Sequence, residues 1–147
     1  WEVAAVRQDH AAGRVHLHQT PAEFFAAPHT YDLITAFQCV HDMAQPVEVL
    51  RHLRELLAPG GILLVADLKM ADLLEDNLTE QGHNHYNWSV LHCLPQARVD
   101  PASAATGCGM GPALLGRYAA QAGFAQCELL PIEHEGWFFY RLGGKES

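Results

Sequence analysis

The sequence predicts an α/β fold built on a parallel β-sheet. Residues 31–37 and 62–67 are short, nearly continuous apolar runs, as in strands that are covered on both faces. Between them, apolar side chains recur at helical spacing from Pro46 onward, which predicts a helix crossing from one strand to the next. Open parallel sheets bind ligands beyond the carboxyl ends of their strands. The loops after Phe37 and Asp67 are therefore the first places to seek a site.

The crossover helix has clear signals at both ends. Pro46 suits the first position of a helix, and the Pro-Gly-Gly sequence at 59–61 stops one. Its apolar stripe is expected to face the sheet and its charged positions to face solvent. The stripe consists of Val49, Leu50, Leu53, Leu56 and Leu57, and the solvent face of Glu48, Arg51, Arg54 and Glu55.

The residues before this unit predict shorter elements. Residues 2–12 have a helical composition and end at Gly13, and alternating apolar residues predict a strand at 15–18. Thr20 and Pro21 begin a second helix, which is brief because Pro28 follows.

The residues after the unit predict a helical segment at 71–92 and a long loop at 95–111. A second clear helix then starts at Pro112, with Gly123 as its C-cap. Strands near 126–133 and 137–142 are expected to pair antiparallel, and Pro131 places the first of them at a sheet edge. The apolar face of the helix consists of Leu114, Leu115, Tyr118, Ala119 and Ala122.

Composition limits the classes of function. The chain has 147 residues, enough for one domain, and 9 basic against 17 acidic residues give a net charge of −8. Such an acidic surface repels phosphate backbones, so we expect no nucleic-acid partner. The longest apolar runs, about five to six residues, are far below the roughly 20 that span a bilayer, so we expect no membrane partner.

The cysteine pattern and the first residue add two expectations. Cys39, Cys93, Cys108 and Cys127 are widely separated, which favours reduced thiols over a disulfide framework or a zinc site. No signal peptide is visible, so we expect a cytoplasmic protein. The chain begins with Trp1 rather than Met, which indicates a fragment or a processed chain.

One segment carries a family resemblance. Tyr-Asp-Leu-Ile at 31–34, a loop ending in His41-Asp42, an amphipathic helix and Leu-Ala-Pro-Gly-Gly at 57–61 precede a buried strand. This order resembles the middle of class I methyltransferases that use S-adenosylmethionine. Residues 88–95, 103–107 and 122–124 resemble a narrower group, the bacterial methyltransferases with an N-terminal winged-helix region.

The resemblance spans residues 14–142 and implies a Rossmann-like three-layer α/β/α sandwich, truncated at its N-terminus. In the family the strand order is 3-2-1-4-5-7-6. Residues 15–18 look like strand 3, 31–37 like strand 4 and 62–67 like strand 5, and the last two strands look like 6 and 7. The family's glycine-rich cofactor loop and strand 2 would precede residue 1. Residues 1–147 would then form one partial domain, with 68–111 as an insert on the acceptor side.

The resemblance also implies an activity and a site. The function is methyl transfer from S-adenosylmethionine to a small-molecule acceptor, on oxygen or nitrogen, by a longer chain of which this is part; these 147 residues alone are expected to be inactive. A homodimer is one assembly that the protein is expected to form. The cofactor-binding residues are Phe37, Gln38, Cys39 and Val40, with Gln19 and Thr20 near the adenine, and the catalytic residues are His41 and Asp42.

The role of the His-Asp pair stays open between two interpretations. A neutral imidazole at His41 suits a general base near pH 7, with Asp42 fixing its tautomer. Alternatively, Asp42 caps a turn and His41 packs beside the cofactor, while proximity and orientation accelerate the reaction. Asp67, at the end of its strand, faces the acceptor or caps a turn.

Other motifs have simpler interpretations. The glycines at 107–111 follow no strand, so they predict a loop and a helix start rather than a cofactor loop, although exposed amides there could meet an anion. His83 and His85 have metal-ligand spacing but lack a partner, which favours a solvated helix face. With His83, His85, Tyr86, Trp88 and His92, the insert could line an acceptor pocket.

Two other functions remain as alternatives. One is a non-catalytic methyltransferase-like module that serves dimerisation or docking. The other is a different doubly wound enzyme such as a dehydrogenase, which the missing dinucleotide loop disfavours.

We expect the isolated 147-residue chain to bind S-adenosylmethionine weakly or not at all. The loop at 37–40 would supply one wall of the cofactor site, while the glycine turn and the ribose-binding acid lie in other parts of the family's domain. Isothermal titration calorimetry measures this directly. Micromolar binding by these residues alone would contradict the prediction.

Overall fold

The computed structural model describes residues 16, 18–27 and 30–144. Single helical turns of 3₁₀ type lie at Ala22–Phe24, Val40–Asp42, Glu75–Asn77 and Gly107–Gly109. A π-helical turn at Ser89–Cys93 joins two of the α-helices. The main elements are β1 (Tyr31–Phe37), α1 (Pro46–Leu56), β2 (Leu57–Leu68), α2 (Glu80–Trp88), α3 (Leu94–Ala97), α4 (Pro112–Gln121), β3 (Gln126–Leu129) and β4 (Trp137–Gly143).

The four strands form one mixed sheet in the order β1-β2-β4-β3. β1 runs parallel to β2, and β4 lies antiparallel to both β2 and β3. This is the order 4-5-7-6 that the family resemblance implies, so the predicted fold class is confirmed. Pro131 lies just beyond the edge strand β3, where its missing N–H costs no ladder hydrogen bond.

The core lies where α1 and α4 pack against each other and against the sheet. Leu50 and Leu115 extend from the two helices toward Leu63, Val65 and Tyr140 of the central strands, and all five are fully or almost fully buried. The predicted stripe of α1 is confirmed at Val49 and Leu50, while Leu53 and Leu56 are half-buried and the buried Leu57 belongs to β2.

The expectation that β1 is covered on both faces is wrong for the described residues. Ile34 and Ala36 turn toward the core, whereas Leu33 is 53% exposed and Phe37 is 52% exposed. The described residues thus cover one face of β1, which stands at the edge of the described sheet, and leave Leu33 and Phe37 on the other face open.

β2 begins at Leu57 rather than at the predicted residue 62, so the Pro-Gly-Gly sequence lies inside the strand. The pairing shifts register between Tyr31 and Leu33 of β1, opposite this segment. Gly60 adopts φ +80°, and a Cβ at Gly61 would lie 2.7 Å from the carbonyl oxygen of Tyr31. Glycine is required here because the backbone bends and passes close to β1.

The remaining elements follow the predictions in part. The helix after Thr20 is a single turn, and the helical segment of the insert extends to Ala97, so the following loop is shorter than expected. Pro95 is tolerated because it stands in the first turn of α3. The predicted helix at 2–12 lies outside the described residues. So do residues 15 and 17 of the predicted strand at 15–18, while His16 and His18 do not belong to a strand. None of the described helices could cross a membrane.

Leu50→Ala should lower the free energy of unfolding by about 2–5 kcal/mol, because the side chain is fully buried between α1 and the sheet. Leu91→Ala, at a mostly exposed position, is the matched control and should change stability by less than about 0.5 kcal/mol. Urea unfolding of both variants measures the difference. Equal stabilities would show that α1 does not pack as described.

Candidate active site

A sharp turn after β1 brings the following loop back over the end of β2. Gln38 adopts φ +48°, and its amide donates a hydrogen bond to the carbonyl oxygen of Ala66 at 2.8 Å. The 3₁₀ turn at Val40–Asp42 then buries the side chain of Val40 in the core. As a result, His41 comes to lie beside Asp67, the predicted strand-end acid.

His41 and Asp67 form a buried pair. His41 Nδ1 lies 2.5 Å from Asp67 Oδ1, and the backbone amide of His41 donates to Asp67 Oδ2 at 3.4 Å. The amide of Leu68 also donates to Asp67 Oδ1, at 2.8 Å. Three contacts therefore hold a carboxylate that is almost fully buried, and they fix the orientation of the ring.

The pair sets the proton affinity of the imidazole. Burial lowers the pKa of His41, but hydrogen bonds to Asp67 and Cys108 and the charges of Asp67 and Asp42 outweigh burial and raise this pKa to about 10. Near pH 7 this shift favours the protonated imidazole over the neutral form that a general base needs.

Asp42 lies on the other side of the ring. Its Oδ1 is 3.5 Å from His41 Nε2 and has no hydrogen-bond partner among the described residues, although this atom is buried. The expected contact that fixes the tautomer belongs instead to Asp67, which meets Nδ1. Asp42 is left as an acceptor facing the region around Nε2.

The pair opens into a cavity of about 370 Å³ at the carboxyl ends of β1 and β2. The insert supplies one wall, so the prediction that it contributes pocket residues holds for His85 and Trp88 among the five named. The lining residues are Gln38, His41, Asp42, Leu68, Asn84, His85, Trp88, Cys93 and Cys108.

Two cysteines of the insert meet at this cavity. Cys93 ends the π-helical turn and Cys108 lies in the 3₁₀ turn at Gly107–Gly109, and their sulfur atoms are 3.5 Å apart. The amide of Cys108 donates to Ser89 Oγ at 3.0 Å. Gly107 adopts φ +64°, and a Cβ there would lie 2.4 Å from the same oxygen. The glycine therefore lets the two turns approach each other.

The glycine segment is a packed loop that follows no strand, as predicted. The expectation that it presents free amides to an anion is wrong at Ala113, whose amide donates to Asp72 Oδ1 at 2.8 Å. A Cβ at Gly111 would lie 2.4 Å from that oxygen. Asp72 thus occupies the N-terminus of α4.

The predicted cofactor residues have different surroundings. Phe37 and Gln38 are exposed at the end of β1, Cys39 is half-buried, and the side chain of Val40 is in the core. A side-chain contact from Val40 to a cofactor is therefore excluded in this conformation. Gln19 and Thr20 are exposed and do not line the cavity beside His41.

The two histidines with metal-ligand spacing do not converge. His83 is exposed and does not line the cavity, whereas His85 Nδ1 lies 3.2 Å from Met70 Sδ. Burial and the neighbouring His41 lower the pKa of His85. The four cysteines carry no disulfide, as expected.

A second cavity, of about 630 Å³, is larger but lacks the features of a site. Phe24, Gln45 and His52 are among its lining residues, and none of them belongs to β1 or β2. We place the site at the smaller cavity because it joins the strand ends to the buried His-Asp pair.

Comparison with known proteins agrees with this fold. A family model described as a methyltransferase domain matches residues 2–63. A curated relative, the polyketide synthase component of compactin nonaketide synthase from Penicillium citrinum, is 44% identical over 48 residues, which are 33% of this chain and 2% of that protein.

Solved structures match nearly the whole chain. An O-methyltransferase family protein from Burkholderia thailandensis matches with a TM-score of 0.62 at 18% identity, covering 97% of this chain and 40% of that one. An O-methyltransferase from neocarzinostatin biosynthesis, solved with S-adenosyl-L-homocysteine and 1,4-dihydroxy-2-naphthoic acid, matches with a TM-score of 0.64 at 20% identity. The match covers 97% of this chain and 38% of that enzyme.

These matches confirm the resemblance to class I methyltransferases and the Rossmann-like fold. This chain spans about two fifths of the solved structures that it matches. The likeness to the narrower group with a winged-helix region stays a prediction.

Asp67→Asn should lower the free energy of unfolding by about 3–5 kcal/mol, because it removes the charge that balances the buried His41. Asp76→Asn is the matched control at an exposed position and should be nearly neutral. Chemical denaturation measures both. An Asp67→Asn protein as stable as the control would show that His41 is uncharged or not paired with Asp67.

Proposed function

We propose that this chain, which has the class I methyltransferase fold, forms the acceptor side of an enzyme that methylates a small molecule with S-adenosylmethionine. The bound cofactor would supply an electrophilic methyl group. Phe37 and Gln38 support this assignment, because an aromatic face and an amide are exposed at the strand end where the family places its cofactor.

One observation carries the proposal: a buried histidine at the strand-end cavity has one ring nitrogen held by a buried carboxylate. Asp67 is hydrogen-bonded to Nδ1 of His41, so Nε2 is the ring nitrogen that can exchange a proton with an acceptor. A base whose ring is fixed by a second group is the usual arrangement for proton abstraction. Asp67 also stabilises the imidazolium that results.

The reaction then has a simple proton balance. The acceptor hydroxyl would give its proton to Nε2 of a neutral His41, and its oxygen would take the methyl group as the methyl–sulfur bond of the cofactor breaks and leaves a neutral thioether. His41 later releases the proton to solvent. Asp42 Oδ1, which is buried without a hydrogen-bond partner among the described residues, is placed to accept a hydrogen bond from a second polar group of the acceptor.

The raised pKa of His41 favours oxygen over nitrogen as the acceptor atom. A protonated imidazole stabilises an oxyanion but repels a protonated amine, and a neutral amine needs no base before it attacks. With a pKa of about 10, His41 is mostly protonated near pH 7, and the proton affinity of its small neutral fraction matches that of a phenol-like hydroxyl. One solved relative was crystallised with a dihydroxynaphthoic acid, which has hydroxyl groups of this kind.

His41→Ala should lower the single-turnover rate of methyl transfer by roughly 10²–10⁴-fold in the protein expressed at its natural length, since the proton acceptor is removed. Cofactor affinity should change little. His83→Ala is the matched control, because His83 is exposed and lies outside the cavity. The measurement is made at saturating cofactor.

His41→Gln distinguishes catalysis from packing, since glutamine fills similar space but accepts no proton. We expect it to be as slow as His41→Ala. A near-normal rate in both variants, or weakened cofactor binding with normal chemistry, would leave proximity and orientation as the source of acceleration.

A further inference from the structure

We propose that His41, Cys93 and Cys108 form a binding site for a thiophilic divalent cation such as Zn²⁺. One ligand atom from each residue lies within 4.8 Å of the other two, and all three residues are buried. Two thiols and one imidazole are the donor types that zinc selects in proteins. The methyl-transfer chemistry described above gives the two thiols no role.

The separation of the sulfur atoms fits metal ligation better than a disulfide. Cys93 Sγ and Cys108 Sγ are 3.5 Å apart, whereas a disulfide requires about 2.05 Å. Two thiolates on a tetrahedral zinc with Zn–S bonds of about 2.3 Å are about 3.8 Å apart. A shift of a few tenths of an ångström would therefore bring the two sulfur atoms to the separation found on a zinc ion.

The surroundings of His41 also match those of a metal ligand. A ligating histidine usually donates its second ring N–H to a carboxylate, which orients the ring. Asp67 accepts at Nδ1, and Nε2 remains for the metal. Cys108 is similarly fixed, because its amide donates a hydrogen bond to Ser89 Oγ.

The charges of the site are complementary to a divalent cation. Two thiolates and a neutral imidazole match the charge of one M²⁺ ion, the nearby carboxylates of Asp42 and Asp67 add further negative charge, and binding releases the two thiol protons and any proton on His41. Three protein ligands leave a fourth position at the cavity for water or an acceptor. Asp42 Oδ1 lies 3.5 Å from His41 Nε2 and can accept a hydrogen bond from that water.

This inference goes beyond the proposed function and competes with it for one atom. A metal ion bound to His41 Nε2 uses the electron pair that a general base needs. Metal binding and proton abstraction by His41 therefore exclude each other. Added Zn²⁺ should inhibit methyl transfer if the base role is correct. If chelation abolishes methyl transfer and Zn²⁺ restores it, the base role fails while the metal site stands.

The test is metal binding by the reduced protein at its natural length. After removal of metal, equilibrium dialysis should give one tightly bound Zn²⁺ per chain. Co²⁺ as a probe should give thiolate-to-cobalt charge transfer in the near ultraviolet and strong tetrahedral bands in the visible. Loss of an outer-shell partner typically weakens metal binding by about 10–100-fold. Because Cys93 and Cys108 would bind the metal directly, Cys93→Ser and Cys108→Ser should each weaken metal binding by more than that. Cys127→Ser, in β3, should bind normally.

A measurement on the unmodified chain covers the case in which a serine variant fails to fold. Zn²⁺ should protect Cys93 and Cys108 from a disulfide reagent under native conditions, and both should react after denaturation with chelator. The proposal is overturned if unmodified protein binds no stoichiometric metal, if Cys108→Ser binds as well as Cys127→Ser, or if the cavity cysteines prove to be oxidised to a disulfide.

Discussion

The hydrogen bond between His41 and Asp67 is the interaction on which the site depends. It joins the two parallel strands at their carboxyl ends, because Asp67 belongs to β2 and His41 follows the turn that leaves β1. A carboxylate buried this deeply would be costly without partners, and it receives contacts from the ring of His41 and the amides of His41 and Leu68. The same contacts leave only one ring nitrogen of His41 for chemistry. Both proposals begin from that nitrogen.

Local patterns were sufficient to predict the sheet and two helices. The apolar runs at 31–37 and 62–67, the stripe on α1 and the prolines at 46 and 112 are short-range signals, and each marks an element of the structure. The order of the strands is long-range information, and it came from the family resemblance. The misplaced start of β2 has a different cause: a Pro-Gly-Gly sequence normally ends an element, but here the backbone of Gly61 passes close enough to Tyr31 to continue the strand.

The site was predicted less completely than the fold. His41 and Asp42 are adjacent in sequence, so their pairing was the natural expectation, yet the carboxylate that holds the ring is 26 positions away. Cys93 and Cys108 gave no signal, since a spacing of 15 residues matches no ligand motif and depends on the π-helical turn and the left-handed conformation of Gly107. Contacts that cross from the strand ends to the insert cannot be predicted from periodicity, because they arise only when the loops fold over the sheet.

The position of β4 has a consequence for how the protein reaches its folded state. This strand is the last of the described strands along the chain, yet it lies in the interior of the sheet and pairs with both β2 and β3. During synthesis, β2 leaves the ribosome with an open hydrogen-bonding edge and acquires its second neighbour only after more than 60 further residues. Until then the apolar side chains of Leu63 and Val65 lack Leu142 and Tyr140 as packing partners. A nascent chain at this stage exposes a strand edge that can pair with other chains, and chaperone binding is most useful during that interval.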